Sequence, residues 1–339
     1  MPTRMPTQNP CVPPTQNPSG SAGAVVLSFL EGVMPAGLTF SRASGATDFT
    51  PTGQLETLAQ NAPRFDFHPT TLQPRGLMIE RPRTNLLLNA ATLATQTVTV
   101  TAVAHTLSFY GTGSVTLSGA ASGVLNGTGA FPSRATLTFT PTADSLTVTV
   151  SGSVTFANLE VGGFASSFIP TTTVAATRAT DLCLAPDLAA LGFNPQEGTV
   201  YAEFEPLAVP VSGNFPTLWQ ADAGNAANRI GAYYSAGPGQ RLNMIMSSGG
   251  VTQGDTSSPN SYLLGAVNKS AVAWATNDRA GCLNGGTVMT DLTAIIPTGL
   301  TTFRCGTGAT GAEPLNGWLR RLIYTPARLP NAQLQALTA

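Results

Sequence analysis

The sequence predicts an all-β protein assembled from successive β-sandwiches, and three observations carry that prediction. Apolar residues alternate with threonine over long stretches, which is the period-two signature of half-buried strands. Glycine, proline and Asn-Gly punctuate the chain between strand-sized segments, as tight turns require. Only 10% of the 339 residues are charged while 42% are hydrophobic, so real cores sit under a surface made largely of hydroxyls and amides. This length and patterning divide into four segments: an extended N-terminal peptide over 1–24, a small collar over 25–90, a β-sandwich or jelly roll over 91–183, and a second β-sandwich over 184–339.

The first segment is proline-rich and repeats itself. Pro6-Thr7-Gln8-Asn9-Pro10 recurs as Pro14-Thr15-Gln16-Asn17-Pro18. Proline fixes φ and the polar residues between have nothing to bury, so the peptide is expected to be extended and to need a partner for order. A disordered tail is the plain alternative. Two identical pentapeptides so close together suit a peptide laid along equivalent grooves of neighbouring subunits.

The collar reads as a short strand over Leu38–Arg42, a turn-rich loop over Gly45–Gly53 and a second apolar run over Gly76–Glu80, stopped by Pro82. Much of the positive charge of the chain lies here, as Arg42, Arg64, Arg75, Arg81 and Arg83, interleaved with Asp66 and Glu80. Such arginines either recognise a phosphate or carboxylated sugar, or form fixed ion pairs with the acids beside them, and the interleaving favours the second. The ordered runs FSRASGAT, NAPRFDF, PRGLMIE and RTNLLLN resemble a signature found near the start of many bacteriophage fibre and head-spike proteins. That resemblance implies a virion appendage, held to capsid, neck or tail by its N-terminal peptide, made in the host cytoplasm and displayed on the particle surface.

Alternation is cleanest from Thr95 to Ile169. Val98 and Val100 sit among threonines, Leu137 and Phe139 lie in RATLTFT, and Leu146, Val148 and Val150 lie in DSLTVTV, followed by Val154 and Phe156. A sandwich of six to eight strands is expected, with one apolar face per sheet. The segment that closes it, ANLEVGGFASSFIPTTTVAATRATD, resembles the end of the carbohydrate-binding-type jelly roll of the same phage proteins, and lacking exposed aromatic pairs it reads as a spacer.

The last block runs through strand-sized segments: GTVYAEFEPL, FPTLWQAD, NRIGAYYSA, QRLNMIMSS, KSAVAWATN, GCLNGGTVM and GWLRRLIYTP, with Asn284-Gly285 as a hairpin turn. The order of a strand ending in tryptophan, AWATND, the LNGG turn and GWLRRLIYTPARLPNAQLQAL resembles the concanavalin A-like lectin and laminin-G sandwich. The resemblance implies a final strand followed by a short helix, for which Pro330–Leu337 is suited.

Composition excludes several classes. One lysine, Lys269, and a net charge of −1 offer no field for nucleic acid or an anionic membrane. No apolar run is long enough to span a bilayer, and Ala22–Leu30 lacks the flanks of an export signal. Glu203 and Glu205 form the one close acidic pair on a predicted strand, without the Glu, Asp, Glu spacing of hydrolases on the lectin fold, and there is no Gly-x-Ser-x-Gly elbow. No catalytic residue, metal site or cofactor is therefore assigned. Asp222, Asp255, Asp278 and Asp291 are scattered singly, poor support for calcium. Cys11, Cys183, Cys282 and Cys305 are widely spaced and read as free thiols, with Cys282 and Cys305 as candidates for neighbouring strands.

A glycan site needs aromatic faces, amides and arginines converging on one patch. On RIGAYYS, alternation puts Ile230, Ala232 and Tyr234 on one face and Arg229, Gly231 and Tyr233 on the other, while the next strand adds Arg241 and Asn243. Arg229, Tyr233, Arg241 and Asn243 are thus the candidate glycan-binding residues, against the plain alternative of a solvated sheet face. Trp219, Trp274 and Trp318 are assigned to cores. The expectation is a homo-oligomeric virion subunit that attaches to host surface polysaccharide, with a purely structural decoration protein and a polysaccharide depolymerase as alternatives.

Overall fold

The computed structural model describes residues 23–211, 213–236 and 239–339. Both pentapeptide repeats, Pro6–Pro10 and Pro14–Pro18, and Cys11 lie outside the described residues. The described chain opens with β1 (Val25–Ser28), β2 (Thr39–Ser41), β3 (Ala46–Phe49), β4 (Leu55–Leu58), β5 (Phe65–Phe67), β6 (Pro74–Ile79) and β7 (Arg83–Asn85). A second group follows as β8 (Gln96–Val100), β9 (His105–Gly111), β10 (Ser114–Gly119), β11 (Gly123–Asn126), β12 (Gly129–Phe139), β13 (Asp144–Ser151) and β14 (Thr155–Val161). Two short strands lead back, β15 (Ala176–Arg178) and β16 (Leu182–Ala185). The remainder is β17 (Gly198–Pro206), β18 (Thr217–Asp222), β19 (Arg229–Tyr234), β20 (Arg241–Ser248), β21 (Val251–Ser261), β22 (Asn268–Ala275), β23 (Asp278–Leu283), β24 (Met289–Asp291), β25 (Thr302–Cys305), β26 (Gly317–Thr325) and one helix, α1 (Asn331–Thr338).

The second group forms the small sandwich, with sheet order β11-β10-β13-β8 facing β12-β9-β14. Alternation works as expected: Leu146 and Val148 of β13 point into a core with Leu107, Phe109, Val115 and Leu159, while Thr97 and Thr147 meet outside at 3.1 Å. The seven strands fall within the range the sequence predicts.

The large sandwich pairs an eight-stranded sheet, β24-β23-β22-β17-β26-β6-β5 with β1 also on β26, with a seven-stranded sheet, β2-β16-β25-β18-β19-β20-β21. Trp219 and Trp274 lie wholly inside its core with Phe193, Phe303 and Tyr324. Asn284 and Gly285 both take positive φ and Gly286 N–H closes onto the Leu283 carbonyl at 3.0 Å, the geometry of the expected two-residue turn. The helix begins just after Pro330 and buries Leu334 against Ala271, Ala273 and Cys282.

Topology corrects the expected segmentation. The stretch 25–90 is not a self-contained collar: β1 and β6 both bond to β26, β5 extends that sheet, and β2 bonds to β16. At Gly76, with φ of 101°, a side chain would meet the Leu319 carbonyl at 2.4 Å, so glycine lets β6 lie close along β26. Within the stretch, Gly45–Gly53 is no plain loop, because β3 and β4 form a hairpin there. β7 pairs antiparallel with β15, Ala176 opposite Asn85 and Arg178 opposite Arg83. The chain therefore leaves the large sandwich through β7, builds the small one, and returns through β15. Alternation marks strands but not their partners, so a sheet completed by strands more than 200 residues apart in sequence, as Leu77 and Leu319 are, is invisible to it.

At this neck lies a buried ionic network. Arg42 Nη1 meets Asp181 at 3.1 Å, Arg64 bonds Glu80 at 2.7 Å and also Asp181, and Arg178 reaches Glu80 at 3.1 Å, all with side chains at most 1% exposed. Ser167 of the small sandwich donates to Glu80 from both N–H, at 3.0 Å, and hydroxyl, at 2.7 Å. The expectation of fixed ion pairs thus holds for Arg42 and Arg64, and Arg75 is likewise bound to Glu205. Burial alone would raise the Glu80 pKa, yet Arg178 and Arg64 hold it down to about 2.

Two outcomes check this account. Residues 184–339 expressed alone lack β1, β2, β5 and β6 and should give a poorly dispersed amide NMR spectrum, whereas 23–339 should give a dispersed one; a folded 184–339 contradicts the topology. Arg64→Leu leaves two buried carboxylates short of a partner and should lower unfolding free energy by about 3–5 kcal/mol in urea titrations.

Candidate functional site

The outer face of the seven-stranded sheet carries a recess of about 100 Å³ whose lining includes Arg229, Tyr233, Phe215, Gln220, Asp255 and Glu313. Alternation on β19 produces it as expected, with Ile230, Ala232 and Tyr234 in the core and Arg229, Gly231 and Tyr233 outward. The Tyr233 hydroxyl donates to Asp255 at 2.5 Å, and burial followed by that bond raises its pKa. Phe215, 40% exposed, stands edge-on to the Tyr233 ring at 5.3 Å. The carboxyl of Glu313 has its pKa raised by burial, opposed by the charge of Arg229.

Arg229 is the unusual member. Its cross-strand neighbour Asp222 is spent on Arg304, at 2.6 Å, on Gln220, at 2.9 Å, and on the Gly224 N–H, at 2.8 Å. The Arg229 guanidinium has no hydrogen bond or ion pair among the described residues, and its Nε is buried without an acceptor. An aromatic edge, carboxylates and a guanidinium with open donors are what a polyol with ring C–H faces can use.

Of the four predicted residues, the structure brings Arg229 and Tyr233 into this recess. Asn243 is the direct partner of Tyr233 across β20, but its amide is consumed by Ser235, at 2.9 Å, the Arg241 carbonyl, at 3.2 Å, and the Ser257 hydroxyl. Arg241 lies outside the lining and donates to the Ser258 carbonyl. Phe215 and Glu313 were out of reach of sequence reasoning, since they come from loops that only the fold brings beside β19. Asp255 was read only as one of the scattered acids, because β21, which carries it, has no apolar alternation to mark it as a strand.

The other acids read from sequence are each already occupied. Glu203 accepts from Tyr201 at 2.7 Å, Glu205 is tied to Arg75, Asp278 to Arg328 at 2.8 Å and Asp291 to Arg279. Among the described residues no group of three His, Cys, Asp or Glu is placed to hold a metal ion. All three described cysteines are free and buried, as expected, and the one that sits opposite Cys305 is Cys183 rather than the candidate Cys282.

A second cavity, about 290 Å³, opens between the sandwiches. Its polar lining includes Asp48 of β3 and Asp66 of β5, its apolar lining Phe49, Tyr110 and Phe168. Asp66 accepts from Phe49 N–H and from Trp318 Nε1, both at 2.7 Å, and Arg75 covers the Trp318 ring at 3.1 Å. Trp318 is thus buried at the seam, its indole N–H taken by Asp66 and its ring covered by Arg75. Asp48 is 5% exposed, one of its oxygens has no partner, and burial, with Asp66 and Glu56 adding, raises its pKa to about 8.

No protein-family model matches the chain, and no curated protein matches it. Among solved structures, the CBM40 module of the Ruminococcus gnavus IT-sialidase bound to α2,3-sialyllactose aligns at 16% identity with a TM-score of 0.38, over 44% of this chain and 86% of that one. The NanB sialidase from Streptococcus pneumoniae aligns at 12% identity with a TM-score of 0.38, over 45% of this chain and 26% of that one.

The pH response of the fold follows from two carboxyls of opposite sign. Asp48 has a folded pKa of about 8 against 3.8 unfolded, so its contribution is complete below 3.8 and is lost as pH climbs through 8. Glu80, about 2 against 4.5, contributes fully above 4.5 and loses its share as pH falls toward 2. Asp48→Asn should therefore flatten the decline in stability between about pH 4 and pH 8, a limb worth at most about 5 kcal/mol, as read from urea midpoints across that range. An unchanged slope would remove Asp48 as its cause.

Proposed function

We propose that this protein is a non-catalytic structural subunit of a bacteriophage virion, a head spike or fibre, that attaches to host surface polysaccharide through the Arg229–Tyr233 recess. The observation that carries the glycan reading is the open guanidinium of Arg229, set beside Phe215, Tyr233 and two carboxyls on an outward sheet face. A recess of only about 100 Å³ grips one sugar edge weakly, and display in many copies on a particle supplies avidity that a single site lacks.

The virion reading rests on the ordered runs in FSRASGAT, NAPRFDF, PRGLMIE and RTNLLLN. Their polar residues gather at the neck: Arg42, Arg64, Glu80 and Arg83 in ion pairs, and Asn85 bonding the Ala157 carbonyl at 2.8 Å and that of Ile169 at 2.9 Å. Such a signature preserves how one sandwich is mounted on another, which suits an elongated appendage. In this reading the two Pro-Thr-Gln-Asn-Pro repeats hold the protein to capsid, neck or tail, the subunits form a homo-oligomer, and the protein resides on the particle surface after synthesis in the host cytoplasm.

Retention of the full chain on a panel of immobilised bacterial surface polysaccharides tests the proposal. Arg229→Ala and Tyr233→Ala should each weaken retention on the recognised polymer at least about tenfold, or ~1.4 kcal/mol, and free sugar should compete. Retention indifferent to both substitutions would sink the recess as the site, absence of retention on every polymer would favour a decoration protein, and release of reducing sugar would favour a depolymerase.

A further inference from the structure

The five arginines of the 25–90 stretch do not share one fate. Arg42, Arg64 and Arg75 are fixed to carboxylates, and Arg83 lies 3.6 Å from Glu160 while also donating to the Val161 carbonyl. Arg81 differs. Its backbone is locked, N–H to Asn316 Oδ1 at 3.0 Å and carbonyl to Arg178 at 2.8 Å, but its guanidinium has no hydrogen bond or ion pair among the described residues, and its Nε is buried without an acceptor.

The acids nearby are exhausted. Arg42, Arg64, Arg178, Arg83 and Arg81 face Glu80, Asp181 and Glu160, five cations against three anions, and each anion already serves another arginine. Burial lowers the Arg83 pKa, and the neighbouring charge of Arg81 lowers it further, so the two repel. Both line a cavity of about 200 Å³ at the seam, on a lining separate from that of the Asp48 cleft. Its walls include Phe164, Pro210, Pro216 and Tyr234. The Phe164 ring lies 5.0 Å from the Arg83 guanidinium, and a side chain at Gly162 would sit 2.2 Å from the same group. Glycine there leaves the room that Arg83 occupies.

We infer that this seam cavity is a second binding site, distinct from the Arg229–Tyr233 recess, that takes the carboxylate of an acidic sugar between Arg81 and Arg83. A guanidinium matches a planar carboxylate with two parallel N–H donors, and an incoming anion removes the repulsion between the two cations. The cavity is larger than an inorganic ion fills, and its phenyl and prolyl walls suit the C–H face of a ring.

The test is thermal unfolding of the full chain at fixed ionic strength with sodium glucuronate, glucose or sodium sulfate, with glucuronate affinity read by calorimetry. Glucuronate should raise Tm and glucose should not. Arg81→Gln should abolish the shift and weaken glucuronate at least tenfold, Arg81→Lys should restore part of it, and Arg229→Ala should leave it intact, which separates this site from the recess. Unliganded Arg81→Gln should melt no lower than the parent, because it loses a repulsion and no bond. The inference is overturned by an undiminished shift in Arg81→Gln, by no shift with glucuronate, by a shift with sulfate as large as that with glucuronate, or by an unliganded Arg81→Gln that melts well below the parent.

Discussion

The structure depends on how five charged side chains are buried at one neck. Arg42, Arg64 and Arg178 share Glu80 and Asp181 where β7 and β15 carry the chain out of the large sandwich and back. Taking such groups out of water costs several kcal/mol apiece, so each must find its partner in one arrangement or none. The residues involved come from 42, 64–80 and 166–181, so the network closes only when the large sandwich, the β3–β4 hairpin and the small sandwich are all in place. It contributes little net energy for its size and much to defining a single mutual orientation.

Charge is scarce in this chain, at 10% of residues, and telling where it is unpaired. Against 16 basic and 17 acidic side chains in the whole chain, several cations are matched one to one: Arg279 with Asp291, Arg304 with Asp222, Arg328 with Asp278, Arg75 with Glu205. Arg81 and Arg229 stand out against this matching, since each lines a cavity while its guanidinium has no hydrogen bond or ion pair among the described residues. An unpaired guanidinium with a buried nitrogen is a standing cost that a ligand relieves, whereas a paired one has nothing left to offer.

Much of the fold was legible because it is local. The β13 pattern of Leu146 and Val148 between threonines, the inward Ile230, Ala232 and Tyr234 of β19, and the buried Trp219 and Trp274 all follow from a period of two and from the size of the side chains. The helix after Pro330 was implied by the resemblance to the lectin and laminin-G sandwich, which places a short helix after the last strand. Pairing was not legible, because hydrogen bonds between backbones carry no residue code: nothing in GLMIE announces that it bonds GWLRR. For the same reason Cys183 faces Cys305 without any hint from spacing. The recess was half legible. Arg229 and Tyr233 share a strand and its alternation, but Asn243 was claimed by Ser235 and Ser257, neighbours that only the sheet reveals.

The recess and the seam cavity share three pieces of chain. Phe215 lines the recess and Pro216 the seam, Tyr233 lines the recess and Tyr234 the seam, and Glu313 lines the recess while Asn316 lines the seam. Consecutive strand residues point to opposite faces, so β19 separates the two spaces by the thickness of one strand. The loop at 215–216 and the stretch 313–316 are clasped together by the Thr217 N–H on the Glu313 carbonyl at 2.9 Å and by the Tyr234 hydroxyl on the Leu315 carbonyl. The neck network adds the remaining condition, because the seam exists only while the small sandwich is held against the large one. Fixing that orientation with buried charge thus gives the outward recess and the seam a common frame.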